Sequence, residues 1–157
     1  MNPAFPIALR KALETALSSL PLDQQGGRGN GDTQRPARVF IGDMPPKKRE
    51  FYDLPCVLLI PAQGWQEDGE ACATVGLMCC VYNAEEGDRE GAEMDMALLL
   101  NAVTRALMPF RKAPLEKRFR LVPDSEGRYL RWDKTDKQPR PYAQAGIISQ
   151  WRMKGVE

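Results

Sequence analysis

The chain has 157 residues, of which 43% are hydrophobic and 27% charged, a composition that fits a globular domain with its own core and not a disordered chain. Lys and Arg number 22 against 21 Asp and Glu, and this net charge of +1 argues against a strongly electrostatic nucleic-acid or membrane binder. No histidine is present. That excludes a Ser-His-Asp or Cys-His nucleophile system, a His-ligated metal and a histidine pH switch built from this chain alone.

The length predicts one domain over 1–157. The N-terminus lacks the basic start, apolar centre and small-residue site of a secretory signal. No apolar stretch approaches the roughly 20 residues of a membrane span, so no membrane partner is expected.

Residues 3–20 read as an amphipathic helix, with Phe5, Leu9, Leu13, Leu17 and Leu20 on one stripe and Ala12 and Ala16 beside it. Asn2 and Pro3 suit its start, and Pro21 stops it. Residues 23–37 hold four glycines and no large apolar side chain, which predicts a flexible loop. GGRGNG within it lacks the Gly-Lys-Ser/Thr ending of a phosphate-binding loop, and no apolar strand precedes it.

A short strand is expected at 38–41 and a strand buried on both faces at 55–61, with a proline-broken basic segment between them. Residues 62–70 read as a polar turn around Gly64 and Gly69. Residues 71–82 read as the central strand. Ala73, Val75, Leu77, Cys79 and Val81 share one face, and Cys72, Thr74, Gly76, Met78, Cys80 and Tyr82 the other. Helices cover the first face; a neighbouring subunit is a candidate to cover the second.

An acidic, glycine-containing loop leads to a helix over 91–108, whose apolar face is Met96, Leu99, Leu100, Val103, Leu107 and Phe110. Three strands follow: 117–122, a hairpin partner at 128–132 after a turn at 123–127, and 143–153. In the last, Ala143, Ala145, Ile147, Ser149, Trp151 and Met153 form the inward face. The fold class expected is α+β, a mainly antiparallel sheet with two helices packed on one face.

No constellation reads as catalytic, cofactor-binding or metal-ligating. Cys56, Cys72, Cys79 and Cys80 match no zinc spacing, and Cys79 and Cys80 point to opposite faces of one strand, so they read as buried, reduced thiols. Glu85, Glu86, Asp88, Glu90, Glu93 and Asp95 fit no calcium loop and read as a solvated acidic segment at a helix start. Lys117, Arg118, Arg120, Arg128 and Arg131 alternate with Phe119, Tyr129 and Trp132; this could serve a single-stranded nucleic acid, but no aromatic RNA-binding motif accompanies it.

Charge is unevenly spread. Residues 61–110 carry 2 basic and 9 acidic groups, and residues 111–157 carry 12 basic and 6 acidic groups. Such halves can attract across subunits packed head to tail. Candidate interface residues are Glu85, Glu86 and Asp88 on one side and Arg118, Arg120 and Arg131 on the other.

ValPheIleGlyAspMetProProLys at 39–47, LeuProCysValLeuLeuIlePro at 54–61 and ProTyrAlaGlnAlaGlyIleIleSerGlnTrp at 141–151 resemble segments of the tail terminator, or minor tail and tail completion, proteins of long-tailed bacteriophages and prophages. The resemblance spans about residues 38–157 in element order, and segment 23–37 departs from it. It implies a structural, non-enzymatic virion protein without cofactor, assembled in the host cytoplasm. The implied assembly is a homo-oligomeric ring, commonly a hexamer, at the head-proximal end of the tail. Such a ring ends polymerisation of the tail tube protein and meets a head–tail connector protein, with at most weak DNA contact. A connector or neck component, or a small nucleic-acid-binding module, is the alternative.

Overall fold

The computed structural model describes residues 2–25, 34–47, 52–83, 91–134 and 141–154. Helix α1, Ala4–Leu17, begins where Asn2 Oδ1 accepts the Ala4 N–H at 2.9 Å, and it ends at Ser18, before Pro21 is reached. Helix α2, Gly91–Leu107, runs into a single 3-10 turn, Met108–Arg111. Phe5, Leu9, Leu13 and Leu17 of α1 and Met96, Leu99, Val103 and Leu107 of α2 are buried, as their helical spacing predicts.

Strands β1, Pro21–Asp23, and β2, Gln34–Pro36, form a separate antiparallel ribbon. The expectation of a flexible 23–37 therefore fails at both ends of that segment. The middle, 26–33, lies outside the described residues. The ribbon is fastened by Arg35, which donates to the carbonyls of Pro36 and Pro55 at 2.9 and 3.0 Å and pairs with Asp53. Burial pushes the Arg35 guanidinium below its ordinary pKa, and the Asp53 carboxylate opposes that shift. Arg38 meets the same carboxylate at 2.8 Å.

The main sheet contains β3, Arg38–Ile41; β4, Cys56–Glu67; β5, Glu70–Tyr82; β6, Arg120–Val122; β7, Leu130–Lys134; and β8, Tyr142–Lys154. Its order is β3-β4-β5-β8, with β6 and β7 sharing the outer edge of β8. Only β3 and β4 run parallel; every other pair is antiparallel. The α+β architecture with two helices on one face is thus the observed one.

Two expectations fail in the sheet. Residues 62–70 are not a polar turn: β4 and β5 extend to Glu67 and Glu70, and only Asp68 and Gly69 turn the chain. Gly69 adopts φ +76°, a region that favours glycine. The polar composition of 62–70 reflects exposure of a projecting arm, since every residue from Ile60 to Glu70 is exposed. Residues 128–132 also do not fold back on 117–122. β6 pairs with β8 at Gln150–Arg152 and β7 at Ala145–Ser149, so the two lie end to end. The turn between them still closes as its residues predict, with Asp124 Oδ1 accepting the N–H groups of Glu126 and Arg128 at 2.9 Å.

The core lies between the sheet and the helices. Trp151 is completely buried, with its ring 5.1 Å from Phe5 and 6.1 Å from Phe110. Its Nε1–H donates to Ser149 Oγ at 2.9 Å, and Ser149 Oγ donates to the Val75 carbonyl at 2.8 Å. Ser149→Ala strands the indole N–H in an apolar core. It should destabilise the fold by roughly 1–3 kcal/mol, the cost of an unpaired buried donor, read as a lower urea midpoint at unchanged slope.

Candidate interaction surface

Residues paired across strands point to the same side of a sheet. On the helix-free side, one row is Cys56–Cys80–Gln144, and the next is Leu58–Met78–Gly146–Asp133. Then come Ile60–Gly76–Ile148–Arg131, Gln63–Thr74–Gln150–Val122 and Trp65–Cys72–Arg152–Arg120.

The first rows are covered by the chain itself. Leu54, Cys56, Leu58 and Cys80 form a second, smaller buried cluster, with Phe40, Met44, Met78, Tyr82 and Tyr142 packed on it. Gln25 ties this cover down: its Nε2 donates to the Tyr142 hydroxyl at 2.6 Å, and its Oε1 accepts the Tyr52 N–H at 3.0 Å. The second face of the central strand therefore carries cover of its own at the Tyr82 end.

Among the described residues that cover stops at Ile60. Ile60 is 38% exposed, Ile148 47% and Trp65 43%. Gly76 lies between the two isoleucines and makes the face shallow there. The arginines Arg120, Arg131 and Arg152 stand along the same face, and all three are exposed. Exposed aliphatic and tryptophan surface flanked by arginine is the chemistry of a protein–protein contact.

Of the interface residues expected from sequence, Arg120 and Arg131 fall on this face. Arg118 does not share a strand with Arg120. It follows a tight turn in which Glu116 and Lys117 adopt φ of 51° and 61°, and its guanidinium lies over the Phe119 ring at 4.9 Å. Glu85, Glu86, Asp88 and Glu90 lie outside the described residues. Of the remaining acids of that segment, Glu93 pairs with Lys134 at 2.7 Å and Asp95 accepts from Asn83 at 3.1 Å. Burial raises the Asp95 carboxyl above its ordinary pKa, against the Asn83 hydrogen bond. Sequence reading missed Ile148. In the alternation over 142–154 it is the one large aliphatic side chain on the outward face, and that was the available signal.

A groove of about 810 Å³ runs beside the arm. Asn2 and Pro3 at the start of α1 form one wall, and Pro61, Gly64, Trp65 and Met153 contribute to the rest.

The cysteines occupy both faces, Cys79 in the main core and Cys56 and Cys80 in the smaller cluster. Burial, then the neighbouring Cys80, push the Cys79 thiol up to about 12. The hydrogen bond with Cys80, then burial, raise Cys56 as well. Cys56 and Cys80 are direct cross-strand partners. The carbonyls of Pro55 and Leu59 accept from Arg38 and Gly42 on the β3 side. The backbone groups of Cys56 therefore face β5, which makes Cys56–Cys80 a hydrogen-bonded pair. Cβ atoms in such pairs stand near 5.5 Å apart, against about 3.8 Å in a disulfide. Among the described residues no group of three or more Cys, Asp or Glu gathers as a metal site.

Neither protein-family models nor curated protein sequences give a match to this chain. No helix among the described residues is long and apolar enough to cross a membrane.

All four thiols should resist labelling in the folded protein and react together on unfolding. Mild oxidation should leave the intact mass free of the two-hydrogen loss that a Cys56–Cys80 disulfide produces. Mass spectrometry after alkylation, with and without denaturant, reads both outcomes.

Proposed function

We propose that this chain is a structural virion protein of a long-tailed phage or prophage. In this reading it forms a ring at the head-proximal end of the tail, ends tail-tube polymerisation and prepares head–tail joining. The observation that carries the reading is the uncovered half of the sheet, where Ile60, Ile148 and Trp65 are exposed beside Arg120, Arg131 and Arg152. A protein that works by assembling needs such a surface, and burying it on self-association supplies the apolar driving force. The segments resembling tail terminators contribute β3, β4 and β8, which include Ile60 and Ile148 of this surface. Partners in this reading are further copies of the chain, the tail tube protein and the head–tail connector protein. A connector or neck role uses the same surface.

A second reading, a single-stranded nucleic-acid module, draws on Trp65 sharing a row with Arg120 and Arg152. Glu67, Asp68 and Glu70 at the same end of the sheet repel phosphates, so this reading ranks lower.

Phage assembly without this protein decides between them. Tails should overgrow or fail to join heads, as seen by negative-stain microscopy, and added purified protein should restore joining. Tails of normal length on normal heads, together with tight binding of single-stranded DNA at physiological salt, would transfer the assignment to the second reading.

A further inference from the structure

The main sheet ends in two strand edges of opposite character. One is the outer edge of the β4 arm. β3 covers β4 only along Cys56–Leu59, and among the described residues no strand pairs with Pro61–Trp65 on that side. The two-residue turn makes Glu67–Glu70 a hydrogen-bonded pair, and such pairs alternate along an antiparallel ladder. Trp65–Cys72 is then bonded, and Gly64, opposite Ala73, turns its N–H and C=O outward. The groove by the arm lies on its helix side, where Ala71, Ala73 and Met153 line it together with Gly64.

The other edge is β7, which among the described residues pairs only with β8. The same alternation sets Val75–Ser149 and Arg131–Ile148 as bonded pairs, so Leu130, Trp132 and Lys134 direct their backbone groups outward. Trp132 is 62% exposed.

The charges of the two edges are complementary. Residues 61–70 contain Glu67, Asp68 and Glu70 and no basic group. Residues 128–134 contain Arg128, Arg131 and Lys134 against Asp133. Some of these charges are already engaged: Glu70 lies 3.5 Å from Arg152, Arg128 pairs with Glu126 and Lys134 with Glu93. Arg131 makes no salt bridge among the described residues, and its charge acts on the carboxylate of Asp124.

We propose that copies of this chain join head to tail by strand addition, the β7 edge of one copy pairing with the Pro61–Trp65 edge of the next. The proposal rests on the reading of the chain as a self-assembling ring protein and names its contact. An exposed strand edge invites indiscriminate pairing, and proteins block it with proline, bulges and charge. Pro61 and the register shift between Pro61 and Gln63 shorten this edge. The acidic tip repels the arm of another copy and attracts the basic β7 edge. Two unlike edges make a heterologous contact, which repeats until the sheet's twist closes it into a ring.

Gly64→Pro and Trp132→Pro each remove one outward N–H; at Gly64 the added Cβ comes within 3.2 Å of the Cys72 carbonyl oxygen, so the β5 strand must give by a few tenths of an ångström. Each variant alone should be monomeric by sedimentation velocity under conditions where the natural protein assembles. Their equimolar mixture should form a heterodimer and stop there, because only one intact edge pair remains. Far-UV circular dichroism and the thermal midpoint check that both fold. Should proline unfold either edge, Glu67→Lys with Asp68→Lys and Arg131→Glu replace them. Each charge variant should weaken assembly roughly tenfold at low salt, and mixing the two should restore it. Mixtures that remain monomeric, or variants that assemble like the natural protein, overturn the edge contact and leave the ring reading to the tail-joining assay. A natural protein that stays monomeric at millimolar concentration overturns self-pairing of these edges, whatever the tail assay reports.

Discussion

A tryptophan enters a core whole only if its one polar atom finds an acceptor there. In this fold that acceptor is Ser149 Oγ, two residues away on the same strand and the same face. Because Ser149 in turn donates to the Val75 carbonyl, the indole is locked to the central strand pair β5–β8. Everything on the helix side is then measured from this ring. Phe5 brings α1 to it and Phe110 brings the 3-10 turn after α2. Phe119, ahead of β6, reaches it through Phe5, at 5.0 Å between ring centroids. Ser149 is the only polar residue among the buried described ones, and it serves the largest side chain of the core.

The helix side is thereby filled over the core, and among the described residues the opposite side is covered only as far as Leu58. Strands β5 and β8 are 13 residues long, more than the covering segment around Leu54 and Tyr52 can span. The surplus length becomes the projecting arm and the bare rows beyond Ile60. Function in this reading follows from a length mismatch inside the fold. The strands that anchor the core also overrun it, and the overrun presents an apolar, arginine-flanked face and the unpaired edge of the β4 arm.

The helices, the central strand and the inward face of β8 were legible because each is held by one dominant period. Phe5, Leu9, Leu13 and Leu17 follow the helical repeat, and Ala143 through Met153 follow the alternation of a strand, with burial agreeing at every position. Legibility failed where long-range pairing overrides local composition. Gln63, Gln66 and Glu67 look like turn residues, yet they form ladder pairs with Thr74, Ala71 and Glu70. Gln34–Pro36 looks like linker, yet Arg35 is held by an aspartate eighteen residues further along the chain. The turn at 123–127 was read correctly and its consequence was not, since turn chemistry reverses a chain without choosing its partner. Here β8 offered an edge long enough for both β6 and β7. The arginines of the candidate surface were visible in sequence as a basic region. Their alignment with Ile148 and Trp65 depends on registers that only the folded sheet fixes.

The three tryptophans of the chain occupy three different environments, Trp151 in the core and Trp65 and Trp132 at the two opposite edges of the sheet. Their emission therefore separates by origin. The buried indole fluoresces at short wavelength and is shielded from iodide. The two edge indoles emit at long wavelength and are open to the quencher. A change confined to the long-wavelength, quenchable fraction reports on the sheet edges, and a change in the shielded fraction reports on the core. The molecule thus carries built-in optical probes that distinguish association from unfolding without any added label.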